Sequence, residues 1–271
     1  MSDTIKFETL QVSRDGVAAL VQLERPDVHN AFNQVLIAEL IDVFNSLGAD
    51  PTVRVVILSG AGKNFCAGAD LDWMRAARDW TEEQNRADAA NLAQMLRTIA
   101  ECPKPVVARV QGAAFGGGVG LAAAADICLA SPNAKFCLSE VKLGLTPSTI
   151  SPHVMQAMGA REARRYWLTA EVMDANTARE VGLVHETLAS EEAMDIRIQE
   201  LVSLFAGNAP GAVSETKELI RMVAASENDQ DLDQETAARI ARRRVGAEAQ
   251  EGLAAFFDKR RPNWAAEANE D

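Results

Sequence analysis

The sequence predicts an α/β core built on a largely parallel sheet, followed by a helical C-terminal region. Three observations carry this expectation. The short apolar runs RVVILS and PVVARV, without alternation, have the pattern of strands buried on both faces. Between them runs a long segment of helical spacing, and alternation of strands and helices goes with parallel pairing. From Ser151 onward, one helical pattern follows another. A chain of 271 residues has the length for one large domain, or a domain with an appended piece.

Taken in order, IKFETLQV and VAALVQLE flank SRDG, whose Asp15-Gly16 is a hairpin-turn signal. Apolar residues at helical spacing run from Asn33 to Leu47, with Asn33 as expected N-cap and Gly48 as expected stop. RVVILS is then a buried strand and SGAGKN the loop after it. Thr81 to Gln84 has the capping-box form, ahead of a helix reaching about Ala100. PVVARV is the next strand, FGGGVGLAAAAD opens the next helix, and DICLAS and KFCLS are further strands. SPHVMQAM has a serine cap and proline at the first helical position. REARRYWLTA, TAREVGL, EEAMDIRIQELVSLFA, VSETKELIRMVAAS and ETAARIARRRVGAEAQEGLAAFF continue as helices, and RPNWAAEANED reads as a loose tail. The expected division is a core over residues 1–200 and a helical extension over 201–271, of the kind that wraps a neighbouring subunit.

The bulk numbers exclude several classes. A net charge of -12 argues against a general nucleic-acid binder, while leaving room for a small anion held by a few local cations. Cys66, Cys102, Cys128 and Cys137 are scattered without zinc-like spacing, so no metal site is expected. No run approaches the ~18 apolar residues of a membrane span, and MSDTIKFETL carries no apolar stretch of signal-peptide length. A reducing cytoplasm is the expected location.

Two glycine-rich loops invite nucleotide readings, and both fail. Ile57 stands where a phosphate loop needs its first glycine, and Asn64 replaces the Ser/Thr. Leu121 stands where the third glycine of the dinucleotide fingerprint belongs. What remains is a pair of strand-to-helix turns, CAGADL and FGGGVG. Amides in the first turn of a helix lack an intrahelical partner and lie at the positive end of its dipole. Two of them converging on one oxygen form an oxyanion hole, worth ~3–4 kcal/mol per donor. The alternative is that these glycines are tight packing points between helix and sheet.

FCAGADL, then QGAAFGGGVGLAAAADI, then AKFCLSEVKLGLTP, in that order and spacing, resemble the crotonase (enoyl-CoA hydratase/isomerase) superfamily. The resemblance covers essentially the whole chain, from RPDVHNAFN to EGLAAFFDKRRPNW. It implies a spiral of ββα units with a C-terminal helical trimerisation region, assembled as a trimer or a dimer of trimers. It implies an acyl-CoA thioester as substrate, with coenzyme A part of that substrate and no separate cofactor. By the same resemblance, the amides of Ala69 and Gly117 hold the thioester oxygen, and Ala67, Asp70, Leu71, Gly116 and Gly120 border the substrate. The family aspartate at Asp70 is usually structural, and Asp126 also reads as a structural acid. Arg25, Val28 and Ala31 match the segment along the adenine and pantetheine path. Phe256 and Lys259 match tail positions that contact the nucleotide from a neighbouring subunit.

Family hydratases commonly use two glutamates. The later one is present as Glu140; the earlier one is absent, because position 120 is glycine. One glutamate with an oxyanion hole suffices for an isomerase. It also suffices for a hydratase in which Glu140 both activates water and returns the proton to the α-carbon. A non-catalytic acyl-CoA-binding member is the third reading. FCLSEVKLGLTPSTISPHV and the C-terminal stretch look similar to bacterial 3-methylglutaconyl-CoA and isohexenylglutaconyl-CoA hydratases, of leucine and acyclic terpene catabolism. That likeness implies a free carboxylate on the substrate, with Lys142 or His153 as its expected receptor. The packing of Trp73, Met74 and the segment 144 to 154 is expected to set pocket size.

Overall fold

The computed structural model describes residues 4–227 and 230–266. The chain opens with three antiparallel strands, β1 (Ile5–Lys6), β2 (Leu10–Asp15) and β3 (Ala18–Leu23), the last two joined through Gly16 at φ +52. Helix α1 (Gln34–Ala49) leads to β4 (Val55–Gly60), α2 (Leu71–Ala77) and α3 (Glu82–Glu101) to β5 (Val106–Val110). Then come β6 (Ala113–Phe115), α4 (Gly117–Ala124), β7 (Ile127–Ala130), β8 (Lys135–Cys137), α5 (Ser151–Thr169), β9 (Met173–Asp174), α6 (Ala175–Glu180) and β10 (Glu186–Thr187). Five helices close the described chain: α7 (Glu191–Gly207), α8 (Pro210–Ala225), α9 (Gln230–Val245), α10 (Ala247–Phe257) and α11 (Asn263–Ala266).

The strands form a seven-stranded sheet in the order β1-β2-β3-β4-β5-β7-β10 and a three-stranded sheet in the order β6-β8-β9. From β3 to β10 the large sheet is parallel throughout, as the unalternating apolar runs predict. Twice the chain lays a strand in the large sheet, crosses to the small one and then runs into a helix. β5, β6 and α4 make one such ββα unit; β7, β8 and α5 make the next. The α/β spiral with its helical C-terminal region is the fold the sequence implies.

Two-sided burial explains the runs. Along β4, Val56 and Leu58 enter the large core beneath the helices α1, α3 and α4, while Val55 and Ile57 enter a second cluster with Met194, Ile198, Leu201 and Val202 of α7. Residues on both sides of position 200 therefore pack on the sheet, and the division placed there falls inside α7. Beyond α7, α8 docks through Lys217, whose Nζ donates to Lys104 O at 2.9 Å and to Asp126 Oδ2 at 2.5 Å.

Several ends differ from the local signals. α1 does not stop at Gly48 but runs through Ala49; a Cβ at Gly48 would press on the Pro103 ring at 3.0 Å, so packing selects that glycine. Ser151 is the first residue of α5 rather than its cap, and its hydroxyl donates to Ser148 O at 2.7 Å. Gly159, at φ +72, breaks α5 between the SPHVMQAM and REARRYWLTA segments. Gly246 divides the last long pattern into α9 and α10. The described part of the C-terminal tail is not loose: α11 is helical, and Trp264 Nε1 donates to Gly207 O at 3.2 Å. Residues 267–271 lie outside the described residues.

Candidate active site

Each glycine of FGGGVG answers a different neighbour. Gly116 sits at φ +49, ψ −118, a conformation open almost only to glycine, and a Cβ there would stand 3.2 Å from Glu140 Oε1. At Gly117 a Cβ would overlap the Phe32 ring, with Cδ2 at 2.9 Å. At Gly118 it would overlap the Cys66 carbonyl, and at Gly120 the Ile150 side chain, with Ile150 Cβ at 2.9 Å. Tight packing therefore accounts for the run. It does so while leaving an amide free.

That amide belongs to Gly117, the first residue of α4, where a helix has no internal acceptor to offer. Gly116 N is spent on Cys137 O at 2.8 Å, but Gly117 N has no acceptor among the described residues. Ala69 is freed by a different device. It forms a parallel bridge with Phe32, in which Phe32 N donates to Gly68 O at 2.7 Å and Asp70 N donates to Phe32 O at 2.8 Å. Such a bridge uses the groups on either side of Ala69, so its own N–H points away and has no acceptor among the described residues. The two loops abut: a Cβ on Gly68 would lie 3.8 Å from Gly117 N.

Ala69 and Gly117 line one cavity of about 320 Å³ together with Glu140. Glu140 begins a single 3-10 turn, Glu140–Leu143, after β8. Burial pushes its carboxyl above the ordinary value of 4.5, and its Oε2 is buried without a hydrogen-bond partner among the described residues. A carboxyl in that state is poised to carry a proton. The remaining wall is mostly apolar, from Phe32, Leu71, Trp73, Met74, Leu92, Leu143, Leu145 and Ile150, with Ser139, Thr146, Ser148 and Thr149 as its hydroxyls.

Of the residues singled out in the sequence, the cavity gathers Ala67, Ala69, Leu71, Gly116, Gly117 and Glu140, with Trp73 and Met74. Others stand elsewhere. Gly120 does not border the cavity, since Ile150 covers it. Asp70 is the N-cap of α2, accepting from Asp72 N at 2.8 Å and from Arg25 Nη2 at 2.8 Å. Burial alone would raise its carboxyl, but Arg25 and the Asp72 and Trp73 amides hold it below the usual range. Arg25 is thus committed to Asp70 and to the Ala31 carbonyl, and neither it nor Val28 or Ala31 lines the cavity. Lys142 is exposed and points outside the wall. His153 lines a separate cleft with Asp126, Lys217 and Arg221. Phe256 and Lys259 are exposed and do not line this cavity within one chain. Phe32, Leu92 and Ser139 were not signalled by the sequence; only the position of Phe32 inside RPDVHNAF pointed near the site.

Two unspent amides and one half-buried carboxylic acid on a shared apolar cavity define a site for moving a proton beside a carbonyl whose oxygen takes up charge. The chain belongs to the enoyl-CoA hydratase/isomerase family, whose model matches residues 13–267. It is similar to a crystal structure of an enoyl-CoA hydratase from Shewanella pealeana, at 43% identity and TM-score 0.92, covering 96% of this chain and 97% of that one. An enoyl-CoA hydratase/isomerase from Marinobacter aquaeolei is similar at 35% identity and TM-score 0.90, covering 96% of this chain and all of that one. A putative enoyl-CoA hydratase of Thermus thermophilus is 32% identical over 249 residues, which is 92% of this chain and 98% of the relative. No helix among the described residues is long and apolar enough to cross a membrane.

Proposed function

We propose that the chain is an enoyl-CoA hydratase-type enzyme that works with a single carboxylate. The observation that supports this reading is the placing of Glu140 on one cavity with the free amides of Ala69 and Gly117. Glu140 removes a proton from water as the water oxygen bonds to the β-carbon of the enoyl thioester. The π-electron pair moves to the thioester oxygen, whose enolate the two amides hold. The protonated Glu140 then gives its proton to the α-carbon, and the carbonyl re-forms. Coenzyme A is part of the substrate, so no separate cofactor is invoked.

A second reading has its own observation. With Ile150 seated against Gly120, no second acid lines the cavity beside Glu140 among the described residues. Isomerisation needs none: Glu140 takes the α-proton of a 3-enoyl thioester and returns it to the γ-carbon. As for the acyl group, no lysine, arginine or histidine lines the cavity among the described residues. A glutaconyl-type substrate, as the sequence suggests, would therefore need its second carboxylate met from outside this wall, and an apolar acyl group fits the wall better.

The test is to mix the purified protein with crotonyl-CoA, 3-methylglutaconyl-CoA and a 3-enoyl-CoA, following conjugated-thioester absorbance and product mass. Loss of absorbance with a gain of one water marks hydration; a rise in absorbance at constant mass marks isomerisation. Glu140→Gln is expected to lower kcat by about 10²–10⁴ while leaving acyl-CoA affinity within about threefold. Unchanged turnover in that variant removes Glu140 from the chemistry. We also infer a homo-oligomer, a trimer or a dimer of trimers working in the cytoplasm, supported by the exposed apolar residues of the C-terminal helices.

A further inference from the structure

Position 120 follows Gly117 by three residues on α4, so the two share a helix face one turn apart. Whatever fills the space against Gly120 therefore stands beside the first acyl carbons of a thioester whose oxygen lies on the Gly117 amide. Ile150 fills it. A Cβ on Gly120 would meet Ile150 Cβ at 2.9 Å and Leu96 Cδ1 at 3.6 Å. Ile150 is only 3% exposed yet lines the cavity, and Leu96 behind it is fully buried. Its backbone is fixed as the cap of α5, with Val154 N donating to its carbonyl at 3.1 Å. A β-branched side chain so held has little rotamer freedom with which to retreat.

We propose that Ile150 is a specificity-determining residue of this cavity: seated against Gly120, its side chain sets how much bulk the acyl group carries on the carbons next to the thioester. The inference rests on the acyl-thioester reading above and adds to it a residue that limits the substrate. Position 120 is then held to glycine by Ile150 itself, because a larger residue there would drive the isoleucine into the cavity or force α4 and α5 apart.

The experiment measures binding rather than turnover, on the full chain, with saturated esters that no hydratase or isomerase consumes. Calorimetric Kd values are taken for butyryl-CoA, 3-methylbutyryl-CoA and 3,3-dimethylbutyryl-CoA. Ile150→Ala is expected to improve the affinity for the dimethyl ester relative to butyryl-CoA by about tenfold or more, since the two esters differ by two methyl groups and a single accommodated methyl already commands about that discrimination in an apolar pocket. Should that variant fold poorly, Ile150→Val supplies the same comparison with an expected shift of about threefold in the same direction. Gly120→Ala is expected to move the ratio the other way. Ratios within twofold of wild type in Ile150→Ala, or in Ile150→Val where the alanine variant does not fold, overturn the assignment even if the enzyme is an active hydratase. If the wild-type chain binds none of the three esters, the acyl-CoA reading itself fails and the role of Ile150 falls with it.

Discussion

Glu140 has more invested in it than its position in a motif. One carboxylate oxygen stands over the bare Gly116 and the other is buried without a partner among the described residues, so ionisation in the folded chain is opposed by burial. The folded state thus holds this proton more tightly than the unfolded chain does. Below the unfolded pKa both states are protonated and the group costs nothing; above the raised folded pKa the full cost of a buried anion is present. Glu140→Gln, a neutral side chain of the same shape, should therefore melt higher than wild type at pH 8, with the difference gone at pH 4. Thermal unfolding at the two pH values checks this, and a lower melting temperature for the variant at pH 8 would contradict it. In the wild type, the acid limb of kcat/KM should lie above the ordinary carboxylate value of 4.5. Glu140 and its solitude were legible in the sequence, through FCLSE and the glycine at 120. Ile150 as the reason for that solitude was not, because a contact across thirty residues leaves no local pattern.

Elements were most legible where local chemistry decides them. Thr81 and Gln84 make both bonds of the capping box, at 2.8 and 3.2 Å, and Asn33 caps α1 by accepting from Leu36 N at 2.9 Å. The strands buried on both faces follow directly from their unalternating runs. Where the reading missed, a neighbour distant in sequence had usually taken over, Pro103 against Gly48 and the Gly207 carbonyl at Trp264, whereas at Ser151 the Ser148 carbonyl three residues back took the hydroxyl that a cap would have used. The glycines make the point measurable. At Gly118 a Cβ would overlap the Cys66 carbonyl, and that backbone belongs to the bridge with Ala114 that joins the two oxyanion loops. A rigid neighbour does not yield, so Gly118→Ala should cost about 3 kcal/mol, the upper part of the range for overpacking, and lower Tm by about 6–12 °C. Gly207, the last residue of α7, meets nothing within 4 Å; Gly207→Ala should be neutral, or stabilising by up to about 1 kcal/mol. Equal effects of the two substitutions in chemical denaturation would refute the packing account of the FGGGVG run.

At the scale of the molecule, the C-terminal helices are tied to the core at one end and open at the other. Lys217 of α8 binds Asp126 and the Lys104 carbonyl of the core, while Glu248 ties α10 back to α8 by accepting from the Gly211 and Ala212 amides. Beyond these ties, Ile220, Val223, Ile240, Val245, Leu253, Phe256 and Phe257 are exposed, the two phenylalanine rings meeting edge to face at 5.7 Å. Apolar residues gathered on helices this way go with a surface that another chain covers. The helical pattern was readable in the sequence, and a neighbouring subunit was implied there only by the family resemblance, because local spacing does not say what an exposed apolar face meets. The proposed oligomer makes a sharp demand, because Phe256 and Lys259 do not line the cavity of their own chain. The double variant Phe256→Glu/Phe257→Glu should sediment with the mass of one chain, where the proposed oligomer predicts three or six times that mass for the wild type. If Lys259 serves a neighbour's site, the same variant should also lose affinity for the CoA ester while keeping its affinity for the pantetheine ester, which lacks the nucleotide. Monomers that keep the wild-type preference for the CoA ester would take Lys259 out of the site and leave α10 a purely assembling element.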